Sequence, residues 1–417
     1  AAGKHGEKEK KEMRAAGIIM ECSPFHEGHA YLLQKTREES GADYLVVVMS
    51  GDYVQRGEPA VFDKYIRAEQ ILRAGADLVL ELPLYAACGS AEYFARGSID
   101  LLEKLGVITD LWFGSESGDT DRLADCARAL ETAESGRQDG ASAPSSPYRE
   151  RLRTELRAGR PFPEARAAAL GDILPAEPND LLGVEYCRAL QSRRSAIRPC
   201  AVKRIDVPPA TARRKALLEN RSGLGPAAAA QVPLYPLCPD DFSSALLYAL
   251  RMQEDALEKY ADVSGDLSDR IRNLLPRFRG FSRFVDLLKT RNLTRTRVSR
   301  CLLHILLRME QDRLDAFRRD GYALYARPLA LRRDASPLLS SIRRNASVPF
   351  LSKPAKAGGL LTGDALRLWK DEIRAEELYT LILAGSIPES WSGTACAGPV
   401  PRAAGRRLIV LPGSSAF

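Results

Sequence analysis

The chain has 417 residues, of which 45% are hydrophobic, and a formal net charge of +7 from 61 basic and 54 acidic side chains. That apolar content fills ordinary cores and excludes a disordered chain, and no apolar stretch reaches the ~18 residues a membrane span needs. The modest basic excess permits an anionic partner without requiring one.

Residues 1–14 read as a polar leader, too charged for a signal peptide. From residue 15 strand-like and helix-like segments alternate. "AAGIIMEC" is a short apolar run, and "HAYLLQKTREESG" has helical spacing stopped by Gly41. "DYLVVVMSG" is continuous and β-branched, as in a strand buried on both faces. "FDKYIRAEQILRAG" is an amphipathic helix with Ile66, Ile71 and Leu72 inward and Gly75 as its stop. "ADLVLELP" is a buried strand ended by Pro83, "AEYFARGSIDLLEKLG" is helical, and "VITDLWFGSES" is a strand running into a turn.

This βαβαβαβ order predicts an α/β domain built on a Rossmann-like doubly wound parallel sheet. Residues 134–147, rich in Ser, Gly and Pro, read as a surface loop. "NDLLGVEYCRALQSRRS" is a helix with Asn179 as its N-cap. "RPCAVKRIDV" is a further strand, and "PPATARRKALLENRSG" a turn entering a helix. The first domain spans 15–226. A mainly α-helical second domain follows over 227–385, with short extended pieces at "YALYARPLALRR" and "SVPFLSK". Residues 386–417 form a Gly/Pro-rich tail. There is no internal repeat.

Eight cysteines contain no C-x-x-C pair. A disulfide framework or zinc site needs tighter spacing, so reduced thiols and a cytoplasmic location are expected.

The chain has only four histidines, and two of them, His26 and His29, fall in "CSPFHEGH". That stretch follows the first strand and opens a helix, where open α/β sheets bind ligands. Pro24 cannot extend the strand and Gly28 allows close backbone approach. Imidazoles three residues apart can face one ligand, and free N–H groups at a helix start favour phosphate. A cap on His26 with His29 on the surface is the plainer alternative. A metal site lacks the further carboxylates or thiols it needs.

The strand, Pro-Phe-His-x-Gly-His and helix resemble the H-x-G-H signature of the nucleotidyltransferase superfamily. That superfamily has a second signature of the Ser-Ser-Thr-x-x-Arg kind, for which "PPATARRKALL" offers Thr211 and Arg214 to grip outer phosphates. The alternative for that pair is a helix cap beside a solvated arginine.

A longer set of segments resembles the bacterial tRNA(Met) cytidine acetate ligase family over residues 15–385. The set includes "SGDYVQRGEPAVFDKYIRAEQILRAGADLVLELP", "FGSESGD", "PNDLLGVEYCRAL", "VKRI", "KTRNLTRTRVSRCLLHILL" and "SVPFLSKPAK". The resemblance implies ATP-dependent activation of acetate as acetyl-adenylate. Transfer to N4 of the wobble cytidine of elongator tRNA(Met) would then give N4-acetylcytidine.

It further implies His26 and His29 as catalytic residues. The ATP-contacting stretch it implies is Ile19, Met20, Glu21, Cys22, Ser23, Pro24, Phe25, His26, Glu27, Gly28, His29, Ala30, Tyr31 and Leu32. Gly114, Asn179, Arg204, Ile205, Thr211 and Arg214 join it. Mg²⁺ would arrive with ATP, since no carboxylate cage is visible. Departures from the family pattern are Cys22 for Tyr, Ser23 and Glu27 for Asn, and "DVPP" for a Gly-containing loop, which places Pro209 at the serine.

In the second domain Lys289, Arg291, Arg295, Arg297 and Arg300 cluster with Arg283 near Phe281 and Phe284, and Arg332, Arg333, Arg343 and Arg344 add to the charge. With the family resemblance this suits a tRNA backbone. His304, among leucines, reads as a core histidine. Two other readings stand beside the ligase. One is a small-molecule adenylyltransferase, and the other is an RNA-binding protein with a decayed nucleotide site.

Overall fold

The computed structural model describes residues 13–135, 147–160, 162–171, 174–221, 234–387 and 408–413. Most of the leader, residues 136–146 of the expected loop and most of the tail lie outside them; at the ends of that loop Glu134 and Ser135 close helix Thr120–Ser135 and Pro147 opens helix Pro147–Arg157, so the expected loop is shorter than 134–147. Among the described residues no helix is long and apolar enough to cross a membrane.

The strands are β1 Ala15–Met20, β2 Tyr44–Ser50, β3 Tyr53–Val54, β4 Glu58–Pro59, β5 Leu78–Leu82, β6 Ile108–Ser115, β7 Arg198–Lys203, β8 Arg327–Arg332 and β9 Ile409–Leu411. Seven form one sheet in the order β7-β6-β1-β2-β5-β8-β9, and β3 and β4 make a separate antiparallel hairpin. The five strands from β7 to β5 are parallel. The chain winds outward from β1 through β2 to β5, then crosses to β6 and β7 on the other side of β1. This is the doubly wound topology, with its switch point between β1 and β6.

The continuous apolar runs have the expected cause. Val46 and Val48 pack into one face of the sheet, Val47 and Met49 into the other, and all four are fully buried. Helix α2, Lys64–Arg73, buries Ile66, Ile71 and Leu72, and Gly75 turns the chain away at φ +115°.

The helical half contributes to this sheet. β8 pairs antiparallel with β5, and β9, from the tail, pairs with β8. A buried charge cluster reinforces the seam. The Lys64 ammonium lies 2.7 Å from Glu81 and 2.8 Å from Glu376, and Arg327 reaches the same two carboxylates at 3.0 and 2.8 Å. Helix Gly363–Ser386, which carries Glu376, is thereby tied to α2 and to the sheet. His304 is buried between the carbonyl oxygens of Ala261 and Cys88, at 2.8 and 3.0 Å from its ring nitrogens.

Candidate active site

The segment after β1 is fixed before it reaches the histidines. Cys22 adopts φ 55°, and the Ser23 hydroxyl accepts from the Val61 N–H at 3.1 Å. Beneath it lies Arg67 of α2, wholly buried. Its Nε donates to the Phe62 carbonyl at 2.8 Å, and Nη1 donates to Ser50 at 3.0 Å, Glu21 at 3.3 Å and Cys22 at 3.4 Å. Nη2 donates to Gly51. One guanidinium thus holds the carboxyl ends of β1 and β2 in place. Its sequence signal was a cation one turn from Ile71 on an apolar helix face.

Helix α1, Glu27–Glu39, starts at an N-cap formed by His26. The His26 Nδ1 accepts from the Gly28 N–H at 3.1 Å, and the His29 Nδ1 accepts from the His26 N–H at 3.2 Å. A nitrogen that accepts carries no proton, so in each neutral ring the proton sits on Nε2. The ring centroids are 3.9 Å apart, and Phe25 stacks on His29 at 5.7 Å. A side chain at position 28 would put its Cβ 2.9 Å from the His26 ring, so glycine there makes room for this arrangement. The expectation of free N–H groups at this helix start is corrected for two of them: the imidazoles take the N–H groups of His26 and Gly28. The rings themselves face the cleft and can add donors toward an anion.

Burial, then His26⁺, Arg204 and Arg213, lowers the His29 pKa to about 3. Burial and the same two arginines lower that of His26. Both rings are therefore neutral donors at neutral pH.

The rings line a cleft at the sheet's switch point. Ile19 and Met20 enter from β1 and Glu21 from just beyond it, Gly28, Tyr31 and Leu32 from α1, Gly114 from β6, and Arg204 and Ile205 from beyond β7. Gln55, Phe94, Leu182, Tyr186, Val202, Lys203 and Val207 line it too. These seven come from four separate stretches of chain, each ordinary by itself. Glu21 lies 3.5 Å from Arg56, and burial raises its pKa.

Other candidates sit elsewhere. Cys22, Ser23 and Pro24 are buried behind the loop, and Ala30 does not line the cleft. Glu27 is exposed and paired with Arg213, so its charge is compensated. Asn179 is not an N-cap. Helix Pro178–Ser192 is capped at Glu177, and the Asn179 amide donates to Glu116 at 2.5 Å. Glu116 also accepts from the Asp180 N–H at 2.9 Å, while Asp180 accepts from the Glu116 N–H at 2.9 Å. The "FGSES" and "PND" segments thus lock each other beside the cleft.

Thr211 and Arg214 open helix Ala210–Glu219, whose cap, Pro209, supplies no side-chain bond. Arg214 donates to Thr211 and to the Ser23 carbonyl, each at 3.1 Å, and both residues line a neighbouring groove.

The HIGH Nucleotidyl Transferase family model matches residues 13–391. The tRNA(Met) cytidine acetate ligase of Syntrophotalea carbinolica is 35% identical over 419 residues, covering 91% of this chain and 96% of that one. The namesake from Acetivibrio thermocellus is 33% identical over 406 residues, covering 88% and 95%. The chain belongs to the tRNA(Met) cytidine acetate ligase family. The crystal structure of Thermotoga maritima TmcAL bound with alpha-thio ATP superposes with TM-score 0.80 at 27% identity, covering 96% of this chain and all of that one. The apo form of the same protein gives TM-score 0.81.

In the helical half of this family member the basic side chains divide. Lys289 and Arg291 are exposed and Arg297 is half-exposed, and among the described residues none has an ion-pair partner. Arg295 lies 3.0 Å from Asp286 and 3.6 Å from Glu58. Arg300 is largely desolvated, which lowers its pKa, and its Nε is buried without a hydrogen-bond partner. Arg332 donates to the Ala76 and Leu72 carbonyls, each at 2.9 Å. Phe281 and Phe284 are core residues.

Proposed function

We propose that the chain is an ATP-dependent ligase that activates acetate as acetyl-adenylate and transfers the acetyl group to N4 of the wobble cytidine of elongator tRNA(Met), forming N4-acetylcytidine. The observation that carries this reading is the pair of neutral imidazoles in the cleft, each with Nδ1 engaged by backbone and Nε2–H left to donate. The names of the relatives and the ATP analogue on the T. maritima protein support it.

An acetate oxygen attacks the α-phosphorus, the bond to pyrophosphate breaks, and pyrophosphate leaves. The His26 and His29 Nε2–H groups donate to the phosphate oxygens as charge builds there. Each such preorganised donor contributes about 3–4 kcal/mol of transition-state stabilisation. Arg204 adds positive charge at the same wall of the cleft. The N4 amine then attacks the acetyl carbon, the bond to AMP breaks, and the amine loses one proton. No protein nucleophile is needed.

Among the described residues no cluster of three His, Cys, Asp or Glu could hold a metal ion. Mg²⁺ would therefore be held by the triphosphate it accompanies. Thr211 and Arg214 reach the phosphates only if Arg214 releases the Ser23 carbonyl. Lys289, Arg291 and Arg297 meet the tRNA backbone. A small-molecule adenylyltransferase has no use for that surface. Acting on tRNA with ATP, the enzyme works in the cytoplasm.

The test is incubation with ATP, radiolabelled acetate and elongator tRNA(Met). Label in the RNA is expected. Pyrophosphate release without RNA labelling, or tRNA binding without ATP turnover, would overturn the proposal.

A further inference from the structure

The cleft has two sides, set by strand order. Gly114, Val202, Lys203, Arg204, Ile205 and Val207 come from β6, β7 and the segment after β7, all on one side of β1. From the stretch that follows β2, on the other side, only Gln55 lines the cleft among the described residues. Gln55 sits at the turn of the β3–β4 hairpin, between Val54 and Glu58.

Residues around Gln55 are tied to the rest of the fold. The Tyr53 hydroxyl donates to the Ala375 carbonyl at 3.0 Å, Arg56 faces Glu21 at 3.5 Å, and the Tyr379 hydroxyl donates to the Ala60 carbonyl at 2.8 Å. The Gln55 carboxamide has no hydrogen-bond partner among the described residues. On its outer side the hairpin rests on helix Arg295–Leu307, the helix that carries Arg297. The Ser299 hydroxyl donates to the Gly57 carbonyl at 2.9 Å, and Arg295 lies 3.6 Å from Glu58. Gly57 has φ +75°, and a Cβ there would lie 2.3 Å from the Arg300 amide nitrogen. The hairpin is thus a rigid bracket with the basic helix on one side and the cleft on the other.

We infer that Gln55 holds the acceptor base, presenting its amine to the acyl-adenylate. The inference rests on the ligase reading above. The primary amide matches the cytosine edge: its oxygen accepts one N4–H while its NH₂ donates to N3. Accepting from one N4–H orients the amine and leaves its other face toward the acetyl carbon. An RNA backbone on Lys289, Arg291 and Arg297 would approach from the bracket's outer side, so the base enters past the hairpin.

The experiment compares wild type with Gln55→Ala and Gln55→Glu, each with an unchanged unfolding midpoint. Two quantities are read: the dissociation constant for ATP, and kcat/KM for elongator tRNA(Met) in acetyl transfer. We expect ATP affinity within about twofold of wild type and a loss of roughly 20-fold or more in kcat/KM for tRNA. Unchanged acetyl transfer in both variants overturns the assignment, as does a parallel loss of ATP affinity, which would put Gln55 on the nucleotide side. Wild-type chain that binds ATP yet leaves the RNA unlabelled overturns the ligase reading itself, and the assignment with it.

Discussion

His26 and His29 share one turn of backbone through their Nδ1 atoms, and their ring centroids stand 3.9 Å apart. The same bonds that cap the helix fix the tautomer, so structure and chemistry can be separated by choice of substitution. An asparagine amide oxygen occupies roughly the place of Nδ1. His29→Asn should keep the cap on the His26 N–H and lose the outer donor. The expected result is an unfolding midpoint close to wild type and acetyl transfer lower by about 10²–10³-fold. His29→Gln reaches further, so it should keep more activity at a cost of about 1 kcal/mol in stability for the lost cap. Thermal unfolding and steady-state acetylation check both, and equal activity in the two variants would defeat the tautomer argument.

Acid should weaken the fold through His29. Its pKa is about 3 in the folded chain and ~6.5 in the unfolded one. Between those values the unfolded state binds more protons, so this contribution is complete above pH 6.5 and is lost as pH falls toward 3. Asp52 and Glu372 act with opposite sign. Burial raises both to about 7, so their contribution is present near pH 4 and is lost as pH rises through 7. Urea unfolding of wild type and His29→Asn from pH 7 to pH 4 isolates the histidine. The stability difference should shift steadily against wild type as pH drops, and a flat difference would refute the assignment.

Arg67 is the residue whose loss should cost most. Its five carbonyl acceptors lie under the cleft, away from solvent. Arg67→Met leaves them without a donor and should destabilise the chain by about 3 kcal/mol or more. Arg67→Lys keeps the charge but cannot span carbonyls of β1 and β2 together, so it should recover only part of the loss. Equilibrium unfolding in denaturant measures this, and a change below about 1 kcal/mol for Met would contradict the clamp.

The basic residues should separate by salt dependence. Lys289→Ala, Arg291→Ala and Arg297→Ala should each flatten the plot of log affinity for tRNA against log salt by about 0.7–0.9. Arg300→Ala should leave that slope alone, because its guanidinium is withdrawn from solvent. Titration of tRNA binding over a range of KCl concentrations distinguishes the groups.

Much of this molecule could be read from local pattern. Unbroken β-branched runs marked buried parallel strands because both faces of such a strand meet apolar neighbours. The family resemblance, carried by the long N-terminal motifs, agrees with the matched relatives. Asn179 was misread as a cap because Pro178 starts the helix one residue earlier, and the acceptor its amide donates to belongs to Glu116, far away in the chain. Arg300 looked like its basic neighbours until helix Arg295–Leu307 was seated on Gly57, which turns that position inward.

What the sequence alone determined is the order of strands and helices and the placing of two imidazoles just after the first strand. These follow from hydrophobic period and from residue chemistry within a turn or two. The tertiary structure alone decided which nitrogen of each imidazole keeps its proton, that Arg67 holds the loop carrying them, and that Gln55 lines the cleft with its amide unclaimed among the described residues. Each of those outcomes depends on hydrogen-bond partners supplied across the fold, and backbone carbonyls and N–H groups are the same at every position until folding aims them.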